Sequence, residues 1–365
     1  MMKVAVKTAR IIVGILFIFS GLVKAIDPLG LAYKMQEFFD VWASASVLKT
    51  LMVWLNEQAL FFSILMITLE VVLGIALLLG WRTKTVSWLL LVLMLFFTFL
   101  TSYVLFSGKI RACGCFGDCI PLTPIQTFTK DILLLILVLL IIYGRKYIKP
   151  IFSNPINVTV FLLALFGVIG LQWYVLKHLP VKDCLPFKVG NNILELRKMP
   201  AHAIPDKFDF KFIYKKNGET KSFAVNDLPD SSWEFVDRKQ LLVEKGKNNV
   251  PLINDFILKT ESGTDTTDLL LNQQGEYYLF LAKDFNKEKD TWYDRFNLFY
   301  KKSVLPVYLV TADPVTAKNV FTMPGLIILT CDATALKTAA RVNPTLLLMK
   351  GPVVKTKIAF IDFVK

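Results

Sequence analysis

Long apolar runs are confined to the first half of this chain. They extend over about 9–26, 59–80, 86–106, 132–143 (with a start near Phe128) and 158–176. Most of them approach the roughly 20 residues that a helix needs to cross the hydrocarbon core of a bilayer. The first run lacks a small-x-small cleavage site, so we interpret it as a retained span and not as a signal peptide. The pattern predicts five membrane-spanning helices.

Between the first two spans, residues 30–42 place apolar side chains at helical spacing, with Trp and Phe on one side. This pattern is typical of an amphipathic helix that lies in the membrane interface.

Short alternating patterns replace the apolar runs after residue 178. Residues 179–205 contain several prolines and little periodicity, which predicts a linker. The alternation in 209–214 and 220–224 flanks Lys216-Asn217-Gly218, a strong signal for a β-hairpin. Together with two further short strand patterns, it predicts a small β unit over about 207–245.

From residue 251 onwards, strand and helix patterns alternate. Strands are predicted at 277–281, 304–310, 326–329, 344–349 and 357–364, and helices at 292–302 and 333–341. This order predicts an α/β sheet that ends in a hairpin. We therefore divide the chain into a transmembrane helical bundle (1–178), a linker with a small β unit (179–250) and an α/β domain (251–365).

The composition agrees with a membrane class. The 365 residues are 54% hydrophobic, with a mean hydropathy of +0.51, which is more apolar than an ordinary soluble domain. The net charge is +13. Its basic residues form no dense stripe with interleaved aromatics, which argues against nucleic acid as a partner.

The distribution of Lys and Arg predicts the orientation of the bundle. One end of the spans carries a dense basic set: Lys3, Lys7, Arg10, Arg82, Lys84, Arg145, Lys146 and Lys149. Such residues face the cytoplasm. We therefore expect a multi-pass protein of the bacterial inner membrane, with its C-terminal domain in the periplasm.

Three of the five cysteines lie in one short loop, Cys113-Gly-Cys115-Phe-Gly-Asp-Cys119, on the predicted outer, oxidising side. A metal ion would need a fourth ligand, and both histidines are remote in sequence, so we expect no metal. A disulfide leaves one thiol over, and a Cys115–Cys119 bond is easier to form than Cys113–Cys115. The loop fits a thiol–disulfide relay, which we favour, or one structural disulfide with a free cysteine.

The other two cysteines differ in their surroundings. Cys184 follows the fifth span on the same membrane face and could reach the cysteine loop; the alternative is an unpaired linker cysteine. Cys331 ends a predicted core strand, so we interpret it as a buried, inert thiol.

Glu70 lies near the middle of the second span, where a carboxyl group is costly and is a functional candidate by default. It could carry protons or bond a quinone oxygen. The alternative is a helix–helix hydrogen bond to Thr98 or Tyr103. Lys24 lies near the outer end of the first span and either snorkels outward or pairs with Glu70.

The membrane half resembles the DoxX/MauE family over about residues 5–150. The matching features are Ser20-Gly-Leu-Val-Lys-Ala-Ile-Asp-Pro28, Glu70, and the cysteine loop with Pro121-Leu-Thr-Pro124. MauE-type relatives are associated with maturation of methylamine dehydrogenase, which requires many disulfides, and DoxX-type relatives with quinone-coupled thiol or thiosulfate oxidation. The architecture also resembles the vitamin-K-epoxide-reductase type, although that family uses a CxxC at a helix start. The resemblance implies a redox role and a quinone cofactor.

Residues from about 251 to 365 resemble a thioredoxin-like domain. Ala340-Arg-Val-Asn-Pro344-Thr-Leu-Leu-Leu-Met is similar to the cis-proline strand of that fold, and residues 251–258 look like its initial strand. Residues 283–292, where the redox CxxC should lie, contain no cysteine, so ordinary thioredoxin chemistry is excluded there. The resemblance implies either a docking domain that binds a client or partner protein through the groove near Pro344, or a scaffold that has lost its activity.

These features predict a membrane-bound redox or disulfide-handling factor, similar to thiol-disulfide oxidoreductases if it is an enzyme. The catalytic candidates are Cys113, Cys115, Cys119 and Glu70; Glu70 and Lys24 are candidates for binding a quinone, and Pro344 and Cys184 for binding a partner. The alternative is a non-enzymatic subunit or assembly platform of an envelope complex.

Overall fold

The first half of the chain folds into a helical bundle. The computed structural model describes residues 1–45, 48–110, 114, 116–216, 218–244, 246, 249–285 and 290–363. The helices are α1 (Met2–Ala25), α2 (Pro28–Ala45), α3 (Lys49–Glu57), α4 (Ala59–Leu79), α5 (Thr83–Ser107), α6 (Pro124–Tyr143) and α7 (Asn154–Lys177), with a 3-10 turn at Arg145–Tyr147. Within the described residues, five of them, α1, α4, α5, α6 and α7, are long and apolar enough to cross a membrane, in agreement with the five predicted spans.

Small residues allow α1 and α4 to approach closely. A Cβ atom on Gly74 would lie 2.9 Å from the carbonyl oxygen of Gly14, and one on Gly21 would lie 2.6 Å from Val71. Close packing at small residues is a common way to join helices in membranes, where lipid offers no hydrophobic driving force between them. It brings Lys24, at the end of α1, next to Glu70 of α4.

The cysteine loop ends at a well-defined helix start. Thr123 caps α6: its hydroxyl accepts a hydrogen bond from the backbone N–H of Gln126, whose side chain accepts one from the N–H of Thr123. Pro124 occupies the first turn, where a missing N–H costs nothing. These caps fix where the loop joins the bundle.

Residues 30–42 are helical, as predicted, and belong to α2. Aromatic residues of α2 pack on the end of α5, where Trp42 contacts Phe99 and Tyr103. Helix α3 was not predicted; Asn56 near its end donates a hydrogen bond to Asp40 of α2 (2.6 Å).

A small antiparallel sheet follows, with the strand order β2-β1-β3. Its strands are β1 (Lys207–Lys216), β2 (Glu219–Ala224) and β3 (Glu234–Glu244). This agrees with the predicted β unit and with a hairpin at Lys216–Gly218. The two short strand patterns that follow the hairpin form the single strand β3.

The C-terminal domain is built on a five-stranded mixed sheet with the order β6-β5-β4-β7-β8. Strands β4, β5 and β6 run parallel, and β7 and β8 are antiparallel to their neighbours. The strands are β4 (Glu276–Leu281), β5 (Val307–Thr311), β6 (Ile327–Thr330), β7 (Thr345–Lys350) and β8 (Val353–Ala359). The helices of this half are α8 (Ile193–Arg197), α9 (Thr267–Leu271), α10 (Asp290–Lys302), α11 (Pro314–Val320), α12 (Ala333–Ala339) and α13 (Phe360–Phe363).

The peptide bond between Asn343 and Pro344 is cis, as the resemblance implies. It lies between α12 and β7. Apolar cores cover both faces of the sheet: one contains Leu279 and Leu347, the other Phe280 and Leu346. The alternation of β4 between the two cores is the two-residue period of a strand that is buried on both faces.

Two predicted strands differ from the structure. Residues 251–258 form no strand: the chain turns at Asp255, which has a positive φ of 56°, while Phe256 and Leu258 are buried. The strand predicted at 357–364 ends at Ala359, where α13 begins. In the first segment the apolar residues are buried without forming a strand, and in the second Ile361 and Phe363 are exposed on α13.

The segment 179–205, predicted as a linker, is packed. Phe187 and Ile193 belong to the core of the C-terminal domain, and Gly190 donates a backbone hydrogen bond to Val354 of β8 (2.8 Å). The buried apolar residues of this segment, such as Phe187 and Ile193, are too widely spaced to give a periodic signal, so the sequence pattern did not reveal the packing.

Candidate functional site at the junction of the bundle and the C-terminal domain

A buried ion pair lies inside the bundle. The ammonium group of Lys24 bonds Glu70, and the hydroxyl of Ser20 donates to the other carboxylate oxygen (3.0 Å). The side chains of Lys24 and Glu70 are only 3% and 2% exposed. Lys24 therefore pairs with Glu70, one of the two arrangements predicted for it. The hydrogen bonds found at Glu70 go to these two residues and not to Thr98 or Tyr103.

A second carboxylate, Asp131 of α6, was missed by the sequence analysis. Its side chain is 1% exposed; one oxygen lies 2.5 Å from Lys130 Nζ, and the other accepts a hydrogen bond from Thr101 of α5 (3.1 Å). The signal was present, because Asp131 immediately precedes the apolar run that begins at residue 132. The predicted start near Phe128 already places Asp131 inside the fourth span, and α6 begins still earlier, at Pro124.

Both carboxylates line one cleft. Its charged groups are those of Lys24, Glu70, Lys130 and Asp131. Its apolar walls come from Leu16, Phe17, Met94, Phe97 and Leu134. Phe116, from the cysteine loop, also lines the cleft. The loop and the buried charges therefore belong to one site.

The cysteine loop is bonded to the chain after α7. Cys119 and Cys184 form a disulfide with their Cα atoms 4.9 Å apart. Cys119 is therefore bonded to Cys184 and not to Cys115, the partner within the loop that spacing made easier, and Cys184 reaches the loop instead of being an unpaired linker cysteine. Spacing along the chain compares only cysteines within the loop, whereas the fold brings a distant segment onto it. Cys113 and Cys115 lie outside the described residues.

Arg341, just before the cis-proline, connects the C-terminal domain to the bundle. Its Nε lies 2.8 Å from Asp27 at the start of α2, and its Nη2 lies 2.6 Å from Asp118 in the cysteine loop. Burial opposes its charge, but the two aspartates more than compensate and raise the pKa of Arg341 above its ordinary value. Asp27, which directly precedes α2, is thus a docking residue.

A second buried basic residue approaches the disulfide from the other side. Lys357 of β8 lies 2.8 Å from Asp183, the residue before Cys184. Burial lowers the pKa of Lys357, and the charge of Asp183 opposes that shift. Each cysteine of the disulfide therefore directly follows an aspartate that forms an ion pair with a basic residue of the C-terminal domain.

The position after β4 is occupied by a lysine that also contacts the bundle. Lys283 donates hydrogen bonds to the hydroxyl of Tyr33 in α2 (3.1 Å) and to the carbonyl of Arg341 (2.9 Å). Burial lowers the pKa of Lys283 to about 8 and raises that of Tyr33 to about 12. A half-buried lysine contact with α2 thus lies directly after β4, in the segment where the resemblance to thioredoxin-like domains predicts a redox thiol.

This contact bears on the predicted groove. Pro344 is buried, and Lys337 of the neighbouring α12 donates a hydrogen bond to Gln36 of α2 (3.3 Å). The face of the domain beside Pro344 thus rests on the chain's own bundle. The sequence could not reveal this, because the contact joins residues about 300 positions apart.

Cys331 is a free, buried thiol in the core of the C-terminal domain. Burial raises its pKa to about 12, so its thiolate is scarce at neutral pH. This agrees with an inert structural cysteine.

The site at the end of the bundle belongs to a part of the chain that comparison with known proteins identifies. A sequence model of the family described as methylamine utilisation protein MauE matches residues 2–144. Residues 2–144 form a MauE-family domain. This domain contains Lys24, Glu70, Asp131 and the cysteine loop up to Cys119, while Cys184 and Arg341 lie beyond it. It also agrees with the family resemblance that the sequence motifs carry.

Other comparisons cover smaller parts of the chain. Protein TlpB of Flavobacterium psychrophilum is 29% identical over 142 residues, which is 37% of this chain and 36% of that relative. Residues 208–245, the small β sheet, match a domain of unknown function, DUF8463. No solved structure matches. The MauE-family domain and the likeness to TlpB fit a membrane protein with a redox-related role.

Proposed function

We propose that this protein is a membrane-bound thiol–disulfide factor whose redox centre is the cysteine loop of its MauE-family domain. One observation carries the proposal: the Cys119–Cys184 disulfide belongs to the loop that also lines the cleft of Glu70 and Lys24. Cys113 and Cys115 precede that bond in the same short loop. A disulfide next to further thiols is the composition that an exchange relay needs.

The exchange balances without other groups. A thiolate of a client protein attacks one sulfur of a disulfide in the loop, and the other sulfur leaves as a thiolate. The second client thiol then resolves the mixed disulfide. In the relay, Cys113 and Cys115 as thiols first exchange with the Cys119–Cys184 disulfide, which becomes two thiols while they become a disulfide. The client then passes two electrons to that disulfide, so the client is oxidised and all four cysteines are left as thiols.

We place a quinone headgroup at this cleft, whose cavity volume of about 20 Å³ has room for about one water molecule, so its walls must separate to admit a ring. Its apolar walls, including Phe17 and Phe97, suit a flat ring, and the ammonium of Lys24 and the hydroxyl of Ser20 are donors for carbonyl oxygens. A bound quinone would supply the oxidant, accepting two electrons and two protons for each disulfide. Glu70 and Asp131 are the groups that could hold those protons beside it.

The orientation proposed from the basic residues is compatible with this chemistry. The eight Lys and Arg residues at one end of the spans, from Lys3 to Lys149 in sequence, face the cytoplasm. The disulfide and the C-terminal domain then lie on the periplasmic side of a bacterial inner membrane. Disulfides persist in that compartment.

The C-terminal domain has a docking role in this proposal. Its mixed sheet and cis Pro344 support a thioredoxin-like assignment, but Lys283 lies where the redox cysteine would lie. Because the Pro344 face rests on α2, the client is expected to meet the cysteine loop and not the groove beside Pro344.

The test removes the thiols that precede the bond. Wild-type protein in proteoliposomes with a quinone analogue should oxidise a reduced dithiol peptide, with one quinone reduced for each disulfide formed. The C113S/C115S double variant should lose this activity, whereas the buried control C331S should keep it. Full activity in C113S/C115S would contradict the relay.

A second candidate function is a non-enzymatic assembly platform. Residues 283–292 contain no cysteine, so the C-terminal domain favours binding over chemistry. Purification without a crosslinker separates the two: stoichiometric partner proteins would support the platform, and a co-purified quinone would support the redox factor.

A further inference from the structure

The two cysteines of the disulfide share a local arrangement. Each directly follows an aspartate, Asp118 before Cys119 and Asp183 before Cys184. Each aspartate is paired to a basic side chain of the C-terminal domain: Arg341 lies 2.6 Å from Asp118, and Lys357 lies 2.8 Å from Asp183. The same domain therefore holds both halves of the bond.

The basic and acidic partners of these two ion pairs differ in how deeply they are buried. The side chains of Arg341 and Lys357 are 6% and 2% exposed, against 39% for Asp118 and 21% for Asp183. The basic groups are fixed parts of the domain, and the aspartates lie on segments that reach it from the bundle. Charge-assisted hydrogen bonds of this kind are about twice as strong as neutral ones.

Arg341 has a further contact that fixes its direction. Its Nε bonds Asp27 between α1 and α2, while Nη1 donates to the carbonyl of Lys337 in α12 (2.8 Å). The planar guanidinium is thus anchored on three sides and has a fixed position from which to hold the loop.

We propose that Arg341 and Lys357 are positioning residues that keep Cys119 and Cys184 within bonding distance when the pair is reduced. The inference rests on the proposed function only in assigning the bond a working cycle. Two thiols held side by side have a high effective concentration, so the disulfide closes again readily. Without the ion pairs of Arg341 and Lys357, the cysteine loop and the segment after α7 separate when the disulfide is reduced, and formation of the disulfide becomes less favourable.

The test is the redox equilibrium of this one bond in the full-length protein. Purified protein in detergent is equilibrated with mixtures of reduced and oxidised dithiothreitol, in which the Cys119–Cys184 disulfide gains two electrons and two protons as the reagent closes its own disulfide. Free thiols are then alkylated, and the peptides containing Cys119 and Cys184 are quantified by mass spectrometry. The variants are R341M and K357M, with R341K as the conservative change.

The matched controls are R295M and K355M, because Arg295 and Lys355 are exposed in the same domain and Lys355 is on the same strand as Lys357. D118N weakens the Arg341 contact from the loop side, which keeps the test usable if R341M folds poorly.

We expect R341M, K357M and D118N each to lower the equilibrium constant for the disulfide about tenfold, or about 30 mV for a two-electron couple. R341K should recover part of the loss, and the controls should stay within about twofold of wild type. If R341M and D118N both stay within about twofold of wild type, the positioning role is wrong. The C113S/C115S assay is independent of this measurement. A failure of the proposed relay and a failure of the positioning role of Arg341 and Lys357 are therefore separate results.

Discussion

The bundle and the C-terminal domain use charged residues in opposite ways. The bundle encloses Lys24, Glu70 and Asp131 around a cleft that its cysteine loop helps to line. The C-terminal domain has an apolar core on each face of its sheet and places two buried basic groups, Arg341 and Lys357, and the half-buried Lys283 at or near the junction. The domain with the cis Pro344 thus carries the docking contacts, and the helical domain carries the groups that we propose to be reactive.

This difference teaches that topology alone is a poor guide to where chemistry occurs. Function resides in the site and not in the fold that supports it. The Pro344 face has the shape associated with client binding, yet it rests on α2 through Lys283 and Lys337.

The largest effect is expected from breaking the ion pair in the bundle. E70L leaves the charge of Lys24 buried without its partner, which should lower the free energy of unfolding by about 3–5 kcal/mol. It should also abolish oxidation of the dithiol peptide, the reaction that we call turnover. In the double variant K24M/E70L the apolar pair should restore thermal stability in detergent, but turnover should remain absent. Turnover in the double variant would show that the pair only joins α1 to α4.

A smaller, pH-dependent effect is expected at the junction. Because burial lowers the pKa of Lys283 to about 8 from its ordinary 10.5, the unfolded chain binds more protons than the folded one between those values. Stability from this residue therefore rises with pH across that window. Tyr33, with its pKa raised to about 12 from 10.0, acts in the opposite direction only above about pH 10.

The measurement is the melting temperature of wild type and K283M in detergent at pH 7.5 and pH 9.5. The difference, wild type minus K283M, should increase towards the higher pH. A difference that is flat or decreases would mean that the contact with α2 does not lower the pKa of Lys283.

The smallest effect is expected at the thiol of the C-terminal domain. C331A removes one buried sulfur and should cost about 1 kcal/mol or less, with no change in turnover. Native-state alkylation should leave Cys331 unlabelled, because burial raises its pKa to about 12. Rapid labelling of Cys331 or loss of turnover would place redox chemistry in the C-terminal domain.

Much of the fold could be predicted because local patterns determine it. The five apolar runs and the hairpin at Lys216–Gly218 each depend on residues close in sequence, whereas the cis bond before Pro344 was implied by the resemblance to thioredoxin-like domains. The segment 251–258 failed because an apolar run indicates burial without saying whether the buried backbone is extended, and Asp255 turns the chain there.

The site was predicted only in its separate parts. Glu70 was identifiable as a charge within an apolar span, and Cys184 by its membrane face. The Cys119–Cys184 bond and the pairs of Arg341 depend on how the C-terminal domain docks, which connects residues up to 314 positions apart. No local pattern encodes such a contact.

The most direct test of the central claim is the redox state of the cysteine loop in intact cells. Differential alkylation with mass spectrometry would compare wild-type cells with cells that lack respiratory quinones. If the bundle holds a quinone-coupled relay, the loop, including Cys119 and Cys184, should become reduced when quinone is absent. If the Cys119–Cys184 bond and the state of Cys113 and Cys115 are the same in both, the cysteines are structural and the redox proposal is wrong.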